Sequence, residues 1–158
     1  MIRIVERNIL DTTKNIICHQ VNCKGVMGAG LAKQIKSKYP NVFKDYKRLC
    51  ENQNVKSGKS GLLGATQFVD VSGNKTIANL FAQDNYGVNK RQTDYDAMEL
   101  CLKSLNSVVN TDYSKYKGCS IAIPYGIGCR LAGGDWKIVK QMIDNILGDC
   151  DVTIYKFN

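Results

Sequence analysis

The sequence predicts an α/β protein, a three-layer α/β/α sandwich around a central mixed sheet. Three observations lead there. Strand-like and helix-like patterns alternate along most of the 158 residues, the order that builds a sheet with helices on both faces. Two short apolar runs, 16–21 and 119–123, each pass into a glycine-rich loop and then a helix, as at the carboxyl ends of open α/β sheets. No linker, repeat or low-complexity tract divides the chain. Residues 1–158 therefore read as one domain, long enough to bury roughly 68–70% of its unfolded surface without staples.

Ile2 to Val5 alternates like a first strand, and Ile16 to Val21 is a buried second one. A helix from Leu31 to Lys38 stops at Tyr39-Pro40, because the residue before proline avoids the helical region. Val42, Phe43, Tyr46, Leu49 and Cys50 share one face of a second helix. Residues 57–61, Ser57-Gly58-Lys59-Ser60-Gly61, form a loop, and Leu63 to Val71 and Thr76 to Ala82 are strands. Thr93-x-x-Asp96 reads as a capping box for a helix with Ala97, Cys101, Leu105 and Val108 inward. After the strand at Ile121 to Ile123, Asp135 caps a helix that turns Val139, Met142, Ile143 and Ile146 inward and ends before Gly148. Val152 to Phe157 closes the sheet.

Composition removes several function classes. There is no apolar run of membrane-spanning length and no signal-peptide pattern at Met1-Ile2-Arg3, so a cytoplasmic protein without a membrane partner is expected. The seven cysteines include no C-x-x-C pair, and His19 is the only histidine. A zinc site or disulfide framework is not expected, nor any other metal or cofactor. Cys18, Cys101, Cys119 and Cys150 fall in apolar patterns where free cysteine packs as a small hydrophobe. The net charge is +8, with Lys33, Lys36, Lys38, Lys44, Lys47 and the stretch from Lys56 to Lys59 spread over two helices and a loop. Three accounts stay open: a solvated surface, attraction of an anionic nucleotide, or weak salt-sensitive contact with nucleic acid.

The most informative stretch is His19-Gln20-Val21-Asn22-Cys23-Lys24-Gly25-Val26-Met27-Gly28-Ala29-Gly30-Leu31-Ala32. Glycines after a strand let backbone N–H groups approach a ligand, and the helix N-terminus that follows favours an anion. The spacing is neither a P-loop nor G-x-G-x-x-G. A second loop, Pro124-Tyr125-Gly126-Ile127-Gly128-Cys129-Arg130-Leu131-Ala132-Gly133-Gly134-Asp135-Trp136, follows the strand at Ile121. Together the two can clasp one diphosphate from both sides.

With these pieces in order, the chain resembles a macrodomain, the ADP-ribose-binding α/β module, from end to end. The matching segments are Arg7-Asn8-Ile9-Leu10, the His19 to Ala32 loop with Tyr39-Pro40, Asn79-Leu80-Phe81, Pro124 to Trp136, and Val152-Thr153-Ile154-Tyr155. Within the family it is similar to the subclass of terminal ADP-ribose glycohydrolases and an ADP-ribose-1″-phosphate phosphatase. The resemblance implies a partner that is ADP-ribose, or a protein or nucleic acid carrying it. It also implies either a hydrolase acting at the distal-ribose C1″ or a non-catalytic reader.

Backbone N–H groups at Gly28, Ala29, Gly30 and Leu31 of one loop and at Gly126, Ile127, Gly128, Cys129 and Arg130 of the other would hold the diphosphate, with Pro124 lining the ligand site before them. Asn22 would hold the distal ribose, with an Asx turn as the alternative. His19 would manage protons, with a core histidine as the alternative. Gln20 and Val21 flank these two. Asn8 and Ile9 meet the base, where most macrodomains carry aspartate; the Asn8 amide can accept from an exocyclic amine, though with less electrostatic gain. Tyr155 packs on the base or on the core. The glycohydrolases carry a catalytic lysine where Gln83 aligns and a catalytic aspartate where Ala132 aligns. An amide nitrogen is not a nucleophile, so Gln83 cannot form the lysyl adduct, and nothing in the spacing puts Lys90 or Arg91 at the same spot. Asp135 and Asp84 are then the carboxylates left to act near the ribose.

Overall fold

Parallel strands covered by helices on both faces must be apolar on both, and the central strands obey. In the computed structural model, every residue is described except Met1, Asn54, Ser57 and Asn158. The strands are β1 (Ile2–Glu6), β2 (Ile16–Val21), β3 (Val55–Lys56), β4 (Lys59–Ser60), β5 (Thr66–Val71), β6 (Lys75–Phe81), β7 (Ile121–Pro124) and β8 (Val152–Lys156). The helices are α1 (Gly30–Lys38), α2 (Pro40–Glu51), α3 (Tyr95–Asn110) and α4 (Trp136–Leu147), with one 3-10 turn at Ile9–Asp11. Six strands form the main sheet in the order β1-β8-β7-β2-β6-β5. All neighbours are parallel except β5 and β6, so the sheet is mixed.

Alternation along β2 divides the core. Ile16 and Cys18 pack with α3 and α4, through residues such as Leu102, Leu105, Val139 and Ile143. Ile17 and Val21 pack with α1 and α2, through Ile35, Val42 and Tyr46. The neighbours β2 and β7 thus send their following helices to opposite faces, β2 to α1 and β7 to α4. The crevice at their carboxyl ends is the switch point where α/β sheets bind ligands.

Several boundaries differ from the sequence reading, each for a local reason. The strand expected from Leu63 begins at Thr66, because Leu63 N–H and Ala65 N–H close turns onto Ser60 and Leu62. The expected loop at 57–61 contributes β4 to a two-stranded hairpin with β3, and its Ser57 lies outside the described residues. α3 is capped by Asp94, whose side chain accepts from Ala97 N–H, and not by Thr93. On that helix Val109 is buried and Val108 only half-buried, an i+4 continuation of Leu105. β8 ends at Lys156, leaving Phe157 60% exposed. No disulfide joins the cysteines of the described residues, and no helix among them is long and apolar enough to cross a membrane.

Candidate functional site

A cleft of about 630 Å³ opens over the carboxyl ends of the parallel strands, lined from every loop that leaves them. That volume is ordinary for a small-molecule site. β1 contributes Asn8 and Ile9, β2 contributes His19 to Asn22, β6 contributes Gln83, β7 contributes the second glycine loop, and β8 contributes Tyr155 and Phe157. From β1 to β6 is four strand spacings, roughly 19 Å at about 4.8 Å each, the reach of an extended dinucleotide.

α1 begins at this cleft with its N-terminus uncapped. Ala29, at the N-cap, makes no side-chain hydrogen bond, and no acidic residue stands in the first turn. Serine, threonine or aspartate would ordinarily satisfy one of those N–H groups. Here they are left, with the positive end of the helix dipole, for an acceptor from outside the chain. The loop behind them is built by Asn22. Its Oδ1 accepts from Lys24 N–H at 3.0 Å and from the Tyr46 hydroxyl at 2.8 Å, and its Nδ2 donates to Val26 O at 2.8 Å. Asn22 lines the cleft, so the residue that organises the loop also borders the site.

The second loop is held from two sides. Ile127 N–H donates to Pro124 O and Cys129 N–H to Gly126 O, folding 124–129 into consecutive turns. Gly128 O accepts from Thr93 Oγ1–H at 2.5 Å and from Gly134 N–H at 2.9 Å. Thr93 in turn accepts from Gln20 Nε2 at 2.9 Å, and the same Gln20 nitrogen donates to Gln83 Oε1 at 2.8 Å. Gln83 Nε2 donates to Asn85 O. One network therefore ties β2, the loop after β6 and the second glycine loop together. Position 128 suits glycine: its φ is +72°, a conformation other residues rarely adopt, and a Cβ there would stand 2.5 Å from Gln20 Oε1 and 3.0 Å from Thr93 Oγ1.

His19 is 2% exposed and shares the α1/α2 face. Its Nε2 lies 2.5 Å from Asn79 Oδ1, and Asn79 Nδ2 donates to Gln67 Oε1. With Asn79 presenting its oxygen to the ring, Nε2 is the nitrogen that donates. Nδ1 is buried without a partner. Burial pushes the imidazole down to about 4, against a smaller opposing effect from Asn79. The lowered value favours the uncharged ring at neutral pH, with Nε2 engaged by Asn79 and Nδ1 left without a partner at the edge of the cleft.

A stability prediction follows. The unfolded ring titrates near 6.5 and the folded ring near 4, so between these values the unfolded state binds more protons. Stability is full above 6.5 and falls as pH drops toward 4, by roughly 3 kcal/mol at about 1.36 kcal/mol per unit. Urea unfolding at pH 7 and about pH 4.5 should show a larger loss for the wild type than for His19→Gln. Equal losses would remove His19 as the cause.

Three expected residues, unlike His19, stand outside the cleft lining. Asp84 turns away to pair with Lys24 at 3.4 Å and to accept from Ser60 N–H. Asp135 is exposed and caps α4, accepting from Lys137 N–H at 2.9 Å. Cys129 points behind its loop, donating to Ile127 O, and burial holds its thiol up at about 11. Among the described residues, no aspartate, glutamate or lysine lines the cleft; Arg130 is its one charged side chain. The rim adds residues that sequence reasoning missed: Tyr86, Val88 and Leu131, 54%, 76% and 57% exposed. They sit in irregular loops with no periodicity to announce them. Thr93 was hidden by a neighbour, since Thr93-Asp94 offers two capping residues and only one can cap.

Fold and site together define an α/β module with a cleft between two glycine loops at the carboxyl ends of its parallel strands. The Macro domain family model matches residues 18–143, and the chain belongs to that family. It is 28% identical over 158 residues to a DNA ADP-ribosyl glycohydrolase of Mycobacterium tuberculosis, covering 98% of this chain and 42% of that protein. The chain thus spans less than half the length of that relative. It is 25% identical over 173 residues to an ADP-ribose 1″-phosphate phosphatase of Saccharomyces cerevisiae, covering 98% of each. The solved macrodomain of Mycobacterium tuberculosis DarG superposes with a TM-score of 0.79 at 26% identity, covering 98% of this chain and 97% of that one.

Proposed function

We propose that residues 1–158 act as one macrodomain that binds ADP-ribose and hydrolyses an ADP-ribose derivative at the distal-ribose C1″. The observation that carries this reading is the pair of glycine loops facing one another across the cleft, one ending in an uncapped helix N-terminus. Backbone N–H groups at Gly28 to Leu31 and at Gly126, Gly128 and Arg130 would hold the diphosphate, with Arg130 adding the one charged side chain that lines the cleft among the described residues. Asn22 and Gln83 would border the distal ribose at the β2/β6 end. With no lysine or carboxylate in the lining among the described residues, the cleft would work by positioning and oriented dipoles.

That chemistry suits a leaving group that departs as a stable anion without a protein acid. ADP-ribose-1″-phosphate qualifies: water adds, and inorganic phosphate and ADP-ribose are released. The end-to-end match to a protein named as that phosphatase supports the same choice. A conjugate through a base or side-chain nitrogen asks for more proton transfer than this lining supplies. The partner would be the free nucleotide or an ester-linked conjugate, in a reducing cytoplasmic setting that suits seven thiols.

The test is phosphate release from ADP-ribose-1″-phosphate, beside calorimetry with ADP-ribose. Phosphate should appear, and Asn22→Ala should lower both turnover and affinity, because it disturbs loop and ribose alike. The acid-free, lysine-free lining favours one second reading, a non-catalytic ADP-ribose reader. Tight binding with no product from phosphate, protein or nucleic-acid conjugates would establish that reading and end the hydrolase proposal.

A further inference from the structure

The two ends of the cleft differ in kind. The β2/β6 end is bordered by the amides of Gln20, Asn22 and Gln83, whereas the β1/β8 end is walled by Ile9, Leu31, Tyr155 and Phe157. A purine, apolar on both faces, belongs at the β1/β8 end, where two aromatic rings can pack on it. Taking the cleft as the ADP-ribose site proposed above, Asn8 beside Ile9 on that wall, with Gln34 one turn along α1 from Leu31, is a polar side chain placed to meet the base edge.

Asn8 caps the 3-10 turn, its Oδ1 accepting from Leu10 N–H at 3.0 Å. An amide's oxygen and nitrogen are often assigned by convention, but here the partner decides. Only oxygen can accept from a backbone N–H, so the oxygen is directed at Leu10 and the amide's other arm is the NH2 group. The Tyr155 hydroxyl, also at this end, is already engaged with Thr12 Oγ1 at 2.5 Å. An aspartate at position 8 would cap Leu10 with one oxygen and still offer the other as an acceptor. Asparagine offers a donor in the same place, which reverses the polarity of the contact.

We propose that Asn8 makes the base end of this cleft a reader of hydrogen-bond acceptors, so that the ligand class includes 6-oxopurine nucleoside diphosphate-riboses. The exocyclic amine of adenine is a donor and finds the Asn8 NH2 group opposed to it; adenine is held through its ring nitrogens and stacking. The 6-carbonyl of hypoxanthine is an acceptor at the same edge and pairs directly with that NH2 group. Asn8 is then the specificity-determining residue at this end, touching the base and not the reacting carbon.

The experiment is calorimetric titration of wild type and Asn8→Asp with ADP-ribose and with its hypoxanthine analogue. Asn8→Asp is isosteric and keeps the cap on Leu10, so its circular dichroism and melting should match wild type. Wild type should bind the hypoxanthine analogue as tightly as ADP-ribose or more tightly. Asn8→Asp should shift the ratio about tenfold or more toward ADP-ribose, since a carboxylate accepts from the amine and repels the carbonyl. Wild-type preference for ADP-ribose by more than about tenfold, or a ratio unchanged by Asn8→Asp, overturns the inference while leaving ADP-ribose binding standing. Failure of wild type to bind either ligand is a different result: it overturns the ADP-ribose reading and this inference with it.

Discussion

Gly28→Glu should abolish ADP-ribose binding, lowering affinity by two orders of magnitude or more, without unfolding the protein. Gly28 lies in the exposed part of the first loop and has no left-handed φ. A Cβ built there meets only Val26 Cγ1, at an ordinary 3.5 Å. Backbone and packing therefore tolerate a side chain, and Gly28→Ala should bind nearly as wild type does. Glutamate differs in sending a carboxylate into a cleft that holds no other acid among the described residues. It would lie beside the open N–H groups of α1, where it can serve as the missing cap and compete with the diphosphate. Like charges about 4 Å apart at an effective dielectric near 20 repel by about 4 kcal/mol, enough for the loss expected. Melting temperature and calorimetry on the three proteins decide it. A folded Gly28→Glu protein that binds as wild type does would place the ligand elsewhere.

The part of this site that could be read from sequence is the part made by local chemistry. An apolar run, then glycines, then a helix pattern describes a loop without reference to the rest of the chain, and both loops line the cleft as expected. Strand faces were equally legible: period two along 16–21 puts Ile17, His19 and Val21 on one face. What could not be read are partnerships across the chain. Asn79 Oδ1 and burial decide the state of His19, and Asn79 is 60 positions away. Lys24 and Ser60 draw Asp84 out of the cleft from two other loops. Thr93 is the clearest case. Its position before a helix suggests a cap, but the next residue takes that role and frees its hydroxyl for Gly128, 35 residues on. Asn8 carries a subtler version. Its type was evident, yet the orientation of its amide depends on a 3-10 turn that three residues barely announce.

That dependence on distant contacts sets the last prediction, at Gly134. Sequence assigns it no role beyond a glycine pair before a cap, and its φ is not left-handed. Its constraint is space. A Cβ at Gly134 would lie 2.6 Å from the carbonyl oxygen of Gly128 and 3.3 Å from Cys129 Sγ. The nearer atom is backbone, so no rotamer change relieves the clash; the loop itself has to move. The same carbonyl accepts from Gly134 N–H and from Thr93 Oγ1–H. Moving it strains both bonds and passes through Thr93 to Gln20 and Gln83, which border the opposite side of the cleft. Overpacking of this sort costs about 1–3 kcal/mol, and a site displaced by about an ångström loses about a hundredfold in rate. Gly134→Ala should therefore melt several degrees lower and lose most of its ADP-ribose affinity and turnover. Thr93→Val, which removes one bond to the same carbonyl without adding volume, should shift both in the same direction by less. Wild-type affinity in Gly134→Ala would show that the second loop can move without consequence, and would detach it from the ligand altogether.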